Sequence, residues 1–377
     1  VLPEERKYLK SFLSGRSWVF RVFSEEINKG SELLKEVKEI ITVVNSVKSI
    51  LPSIIENIKD FLAHLSVESI LHIGCGSSYY ASLFGAYPLT LQKTPGYALP
   101  ASELIFLLDR GEISPSILSV FYSRSGETTE VLIALEKAQS RNIKTAGLTC
   151  TEGSTLHRKA DFTIVVPQCF EKSHYMTKSF VGLSLIGTLF SQVALRNRSH
   201  LDISSLEAEL QNFIHGAEKI YSKYDDIREL AKNTLKKKAF VVLGSESIYV
   251  IAQEAGLKLN EVAYTFSHAM HALEFRHGPI ALREKAEELQ VIVLSTSSIK
   301  SNEYVERLVD DLRARGIETI LVSDQEKADF IIPVRMRSQI TYLLLILPMY
   351  LFAIERALQL GYNPDAPLHI ERVVKFI

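Results

Sequence analysis

The sequence predicts an α/β protein made of two copies of one unit, each a parallel β-sheet flanked by helices in an α/β/α sandwich. Three observations carry this. One chain of landmarks occurs twice, about 170 residues apart: Ile70-Leu71-His72-Ile73-Gly74-Cys75-Gly76-Ser77-Ser78-Tyr79 is echoed by Phe240-Val241-Val242-Leu243-Gly244-Ser245-Glu246-Ser247-Ile248-Tyr249. Phe121-Tyr122-Ser123-Arg124-Ser125 is matched by Val293-Leu294-Ser295-Thr296-Ser297, and Ala160-Asp161-Phe162 by Ala328-Asp329-Phe330, at nearly the same offset, which is the mark of a duplicated domain. Short, fully apolar runs also alternate with longer amphipathic stretches, and strands apolar on both faces belong to parallel sheets covered on both sides. Finally, 377 residues with 46% hydrophobic content can give two domains a core each.

In chain order, residues 1–65 read as a helical segment, with Ile40, Ile41, Val44, Val47 and Ile50 at spacings of three and four, packing across the first domain. Residues 66–200 form the first copy, with strands expected at Ile70–Ile73, Ile117–Tyr122, Thr145–Thr149 and Phe162–Val166. A helix is expected at Thr129–Ala138, where Val131, Leu132 and Leu135 share a face. Residues 201–237 read as one long polar linker helix, Ser204 to Lys238, opened by a capping box at Ser204-x-x-Glu207. The second copy, 238–360, has candidate strands Phe240–Leu243, Val291–Leu294, Thr319–Val322 and Phe330–Pro333. Ile340–Ile354 is apolar almost without break, but it contains Pro348 and is shorter than the roughly 18 residues a bilayer demands, so a buried helix lying between layers or between subunits is expected. Residues 361–377, with Pro364 and Pro367, form an irregular tail whose apolar end docks.

Composition excludes several function classes. Lys+Arg at 43 against Asp+Glu at 44 leaves a formal charge of −1, which argues against a surface built for nucleic acid or membrane lipid. Cys75, Cys150 and Cys169 lie outside any Cys-x-x-Cys spacing, so neither a disulfide framework nor a metal site is expected. With no secretory pattern at its start, the chain is expected in the cytoplasm.

Ser123-Arg124-Ser125-Gly126-Glu127-Thr128 lies where a strand turns into a helix, at the carboxyl edge where parallel sheets bind ligands. Free N–H groups at a helix start attract anions, and Ser123, Ser125 and Thr128 add hydroxyls around a phosphate; Ser77 and Ser78 can face the same spot. The bland alternative is that these hydroxyls cap a helix. In the second copy Glu254, Lys258 and Glu261, spaced four and three apart, share one helix face, which read alone is a solvated ion-pair face. Leu273-Glu274-Phe275-Arg276-His277-Gly278-Pro279 then places a histidine on a loop where its imidazole can reach a ligand.

Gly-Cys-Gly-Ser-Ser followed by Ser-Arg-Ser-Gly-Glu-Thr resembles the sugar isomerase (SIS) domain, and the double copy resembles the isomerase half of glucosamine-6-phosphate synthase and the stand-alone hexosamine-phosphate deaminases. The resemblance implies two tandem SIS domains and a phosphosugar held by Ser78, Ser123, Arg124, Ser125 and Thr128, with His174–Ser179, including Thr177, covering it. Where the synthase often has Gln, this chain has Arg124, whose charge is expected to add phosphate affinity. Glu-x-x-x-Lys-x-x-Glu with Arg-His-Gly-Pro matches the synthase-like branch. This implies that Glu261 moves a proton between sugar C2 and C1, that Lys258 supports it, and that His277 opens the ring, reaching into a partner subunit's site in a homodimer. No metal or organic cofactor is called for.

Two departures matter. No glutaminase segment precedes the pair here, so ammonia from glutamine is not expected from this chain. The synthase's imine-forming tail lysine falls, in Pro367-Leu368-His369-Ile370-Glu371-Arg372, on Arg372, which stays protonated and cannot form an imine, though it can clamp substrate oxygens. The leading expectation is a phosphosugar deaminase/isomerase that converts a 2-amino-2-deoxyhexose 6-phosphate to the ketose phosphate and ammonia. A plain aldose-ketose phosphate isomerase and a non-catalytic phosphosugar sensor remain as alternatives.

Overall fold

Ten parallel strands in two five-stranded sheets organise the computed structural model, which describes residues 29–90, 92–195 and 201–370. The strands are β1 (Ser69–Gly74), β2 (Gly96–Pro100), β3 (Ile117–Ser123), β4 (Lys144–Thr149) and β5 (Phe162–Val165), then β6 (Ala239–Gly244), β7 (Phe266–His271), β8 (Leu289–Leu294), β9 (Thr319–Ser323) and β10 (Phe330–Ile331). The first sheet runs β2-β1-β3-β4-β5 and the second β10-β9-β8-β6-β7. Numbered within its own copy, each sheet has the order 2-1-3-4-5, so the duplication read from the landmarks extends to the topology. Both copies also need glycine at the same turn, because a Cβ at Gly74 would strike the carbonyl of Ser78 and one at Gly244 that of Ile248.

The expected strands form, and the last one shortens to Phe330–Ile331. The two that sequence reading passed over, β2 and β7, are the outer strands beside β1 and β6. β5 and β10 are edge strands as well, but they carry apolar runs that β2 and β7 lack. β2 ends in Pro100, while β7 carries two histidines and a serine and leaves Phe266 72% exposed.

Three helices precede the first sheet: Ser31–Lys38, Ile40–Ser49 and Leu51–Ala63. They bury Ile40, Val43, Val44, Val47, Ile54, Ile55 and Ile58, and the second and third pack on the long helix Lys178–Leu195. Ile50 falls in a junction and is exposed, and Pro52 sits in the first turn of the third helix, where its missing N–H costs nothing. The linker departs from expectation. It is two helices, Ile203–Ser222 and Tyr224–Asn233, and its cap is Asp202, which accepts from the Ser205 N–H, in place of Ser204. Nor is it polar all round, since Leu206, Leu210, Phe213, Ile214 and Ile220 are buried.

The apolar segment near the end forms Gln339–Tyr342, a short 3₁₀ turn, and Ile346–Gln359, with Pro348 in the first turn of the last helix. Among the described residues two helical runs, Lys178–Leu195 and Gln339–Gln359, are long and apolar enough for a bilayer, and 83% and 94% of their most apolar 18-residue windows are buried inside the fold. The second run is longer than its uninterrupted apolar stretch indicated. Its surface is used within the chain, so it lends no support to a subunit interface. Arg356 is buried there with no carboxylate partner among the described residues; its guanidinium donates to the carbonyls of Thr234 (2.8 Å) and Lys237 (2.7 Å) beyond the end of Tyr224–Asn233, where cations are favoured.

In the first copy Ser77–Ala86 crosses Lys178–Leu195 closely, at Gly85 and Gly187. Tyr122, wholly buried on β3, places its hydroxyl 2.7 Å from Nδ1 of His72 and beneath Gly85 and Gly187. Burial pushes His72 down to about 3, so its ring is neutral. A Cβ on Gly187 would fall on the Tyr122 ring and hydroxyl. We expect Gly187→Ala to destabilise the protein by about 1–3 kcal/mol, read as a lower midpoint in urea unfolding.

Candidate active site

The carboxyl ends of β1 and β3 are the point at which the first sheet's strand order reverses, and a cavity of about 180 Å³ opens there. Cys75, Gly76, Ser77 and Ser78 line it from the β1 turn, and Arg124, Ser125, Thr128 and Glu130 from the β3 turn. Lys258 and Glu261 enter from the second copy, His174 and Met176 from the loop before Lys178–Leu195, and Ile370 from the tail.

The serine and threonine hydroxyls do not cap helices. Neither Ser77–Ala86 nor Thr129–Ser140 has a side-chain cap at its start. Ser123 is buried under the loop, its Oγ accepting from the Gly126 N–H at 3.0 Å and lying 3.1 Å from Thr128 Oγ1, so it shapes the cradle and leaves Ser125, Thr128 and Ser78 on the wall. Arg124 lines the cavity and is also engaged within the fold. It is buried, and its guanidinium donates to the carbonyl of Tyr175 (2.9 Å) and the carboxylate of Glu171 (3.3 Å), so its charge is already compensated and braces the covering loop. Thr177 is likewise committed to Glu171, through Oγ1 at 3.0 Å and its N–H at 2.5 Å, and does not line the cavity. Glu171 has no counterpart in any motif; nothing about a lone glutamate between loop residues announces it.

Glu254, Lys258 and Glu261 come from one helix, Ile248–Ala263, and burial overturns the solvated reading. Side-chain exposure is 0% for Glu254, 1% for Lys258 and 27% for Glu261. Lys258 Nζ donates to Glu261, lies 3.4 Å from Glu254 Oε1, and crosses to the first copy to donate to Ser77 Oγ at 3.1 Å. Burial opposes its charge, yet the two carboxylates outweigh that penalty and raise its pKa. Burial likewise pushes Glu254 up to about 7 despite Lys258. The Tyr350 hydroxyl, 3.3 Å from Glu254, ties the last helix to the same cluster. His277 is exposed on the turn after Leu273–Arg276 and lies outside this cavity. Arg372 lies outside the described residues.

The matching place in the second copy is filled by its own carboxylates. Gly76 and Glu246 occupy equivalent turns with the same φ of 55°, a conformation that favours glycine, and the Glu246 side chain accepts from Ser301 N–H and Oγ, both at 3.0 Å. Asp324 receives Thr296 Oγ1 (2.9 Å), the Ser297 N–H (2.8 Å) and the Met336 N–H (3.0 Å). Ile248 stands where the first copy has Ser78. These carboxylates take the donors that an anion would need, leaving one composite cavity.

The SIS-domain family model matches residues 65–195. The chain is a SIS-domain protein. Among curated relatives it is 30% identical over 353 residues to a glutamine–fructose-6-phosphate aminotransferase (isomerizing) of Pyrobaculum aerophilum, covering 91% of this chain and 57% of the relative. It is 29% identical to the corresponding protein of Corynebacterium glutamicum, covering 82% and 51%. This SIS-domain protein thus spans about half the length of the curated relatives it matches. The crystal structure of glucosamine-6-phosphate deaminase from Thermotoga maritima superposes with a TM-score of 0.71 at 28% identity, covering 90% of this chain and 99% of that one. The C-terminal domain of the Francisella tularensis glucosamine-fructose-6-phosphate aminotransferase shares the fold, with a TM-score of 0.80 at 22% identity, covering 89% and 98%.

A raised carboxyl pKa means that the folded chain holds its proton to higher pH than the unfolded one. Glu254's contribution to stability is therefore complete below the ordinary carboxylate range and lost as pH rises through about 7. Between about pH 5 and pH 8 the wild type should lose on the order of 2–3 kcal/mol relative to Glu254→Gln, measured by urea unfolding across that range.

Proposed function

We propose that this protein is a phosphosugar deaminase/isomerase acting on a 2-amino-2-deoxyhexose 6-phosphate. The observation that carries the reading is one cavity with a hydroxyl-lined helix start from the first copy on one wall and the Lys258–Glu261 pair from the second on another. Ser78, Ser125 and Thr128, with Ser123 beneath them, hold the phosphate together with the N–H groups of the helix start. Arg124 acts indirectly, by fixing the loop. Likeness over nearly the whole of the T. maritima deaminase favours ammonia release over plain isomerisation.

Ring opening gives an aldehyde at C1, and Glu261 then takes the C2 proton to leave an enaminol. Returning that proton to C1 makes C1 a CH₂OH group and C2 an imine. Water adds to C2 and ammonia departs, giving the ketose 6-phosphate. The general base has Lys258 beside it to stabilise negative charge as it develops. Glu254 keeps a proton in the cluster near neutrality. His277, exposed and away from its own cavity, serves as the ring-opening acid in the partner's site of a homodimer, and Arg372 is proposed to clamp substrate oxygens from the tail. Thr177 contributes through its place in the loop.

Glucosamine 6-phosphate and galactosamine 6-phosphate assayed for ammonia and ketose phosphate test this reading. Glu261→Gln should cut kcat by at least about a hundredfold with KM little changed. Interconversion of aldose and ketose phosphates without ammonia would instead establish a plain isomerase, and binding without turnover a sensor. Glu261→Gln and His277→Ala, each inactive alone, should regain activity on mixing if the histidine crosses between subunits; a mixture that stays inactive removes that role.

A further inference from the structure

The two covers of the cavity, the loop 172–178 and the tail 363–370, are tied to the same short helix, Ser31–Lys38. Glu36 on that helix is 2% exposed, and its Oε1 accepts the N–H groups of Lys172 at 2.5 Å and Ser173 at 3.3 Å. One turn on, Glu39 pairs with Lys178 Nζ at 2.5 Å. Glu171 pins the far side of the loop through the Thr177 and Ser179 N–H groups. Between these anchors stand His174 and Met176, which line the cavity, and Met176 Sδ lies 3.5 Å from Ser78 Oγ in the cradle. At the helix's other end Asp365 accepts from the N–H groups of Glu32 (3.2 Å) and Leu33 (3.0 Å), and Asn363 from Gly30 (3.3 Å). These hold the stretch that leads to Ile370 on the cavity wall. The Tyr221 hydroxyl, bonded to the Val37 carbonyl at 2.6 Å, fixes the helix to Ile203–Ser222.

Burying a carboxylate is costly, and an apolar side chain would fill the same space more cheaply. What Glu36 supplies is two directed bonds to the loop backbone. We propose that the helix Ser31–Lys38 is a strap that sets the position of both covers, with Glu36 as a positioning residue for phosphosugar binding. Glu36 touches no substrate and acts through His174 and Met176; the inference rests on the cavity being the phosphosugar site.

Amide hydrogen exchange on the full chain, followed by titration with glucosamine 6-phosphate, tests it. In Glu36→Gln and Glu36→Ala the N–H groups of residues 172–178 should exchange about tenfold faster while β1 and β3 keep their protection. Affinity should weaken by about tenfold, with KM rising more than kcat falls. Asp365→Asn, at the helix's other end, should also speed exchange in 172–178. Unchanged loop protection in both Glu36 variants overturns the strap, as does a loosened loop with wild-type affinity. A wild-type protein that binds no phosphosugar defeats the functional reading instead, and the exchange comparison still decides whether the strap exists.

Discussion

The buried ammonium of Lys258 is the constraint on which the rest depends. A cation taken out of water must have its donors occupied and its charge balanced. Here the three partners come from both halves of the molecule: two carboxylates one turn away on its own helix, and the hydroxyl of Ser77 from the turn after β1. Ser77 lies beside Ser78, at the start of a helix that crosses Lys178–Leu195 on two glycines and rests on Tyr122. The position of the cradle in one copy and that of the carboxylates in the other are therefore linked through a few directed contacts. Slippage between the copies would strand a buried charge.

Duplication supplied two equivalent sheet edges, and they were used differently. In the first copy the turn at Gly76 leaves space, and the hydroxyls of Ser78, Ser125 and Thr128 face a cavity. In the second, Glu246 and Asp324 satisfy the donors that correspond to that cradle, so the edge is closed by the chain itself. The second copy contributes its helix instead.

How much of this could be read in the sequence follows from how each feature is encoded. Inner strands were legible because double burial demands an unbroken apolar run, and the cradle because hydroxyls at a strand-to-helix turn are a local pattern. β2 and β7 were not, since neither has such a run: β2 is short and ends in Pro100, and β7 is broken by Ser267, His268 and His271. The linker's break at Lys223 leaves no glycine or proline to mark it. Glu254-x-x-x-Lys258 reads as an exposed pair until the helix above it, Ile346–Gln359, is known to cover it. Glu36 and Glu171 were invisible for a related reason: each acts on backbone groups remote or irregular in sequence, and backbone N–H groups leave no trace in residue identity. The motif around His277 could be read, but the fold leaves that histidine exposed and outside the cavity of its own chain.

The bonds that join Gly30 to Asn363 and Leu33 to Asp365 span 333 and 332 residues. A chain emerging from the ribosome can form its first sheet early, and domains generally fold as units during synthesis. The cavity is another matter. Lys258 follows Ser77 by 181 residues, and the segment bearing Ile370 comes later still. The pocket is thus completed only after Lys258 and Ile370 have been made, and a chain that stops before them lacks two of its walls.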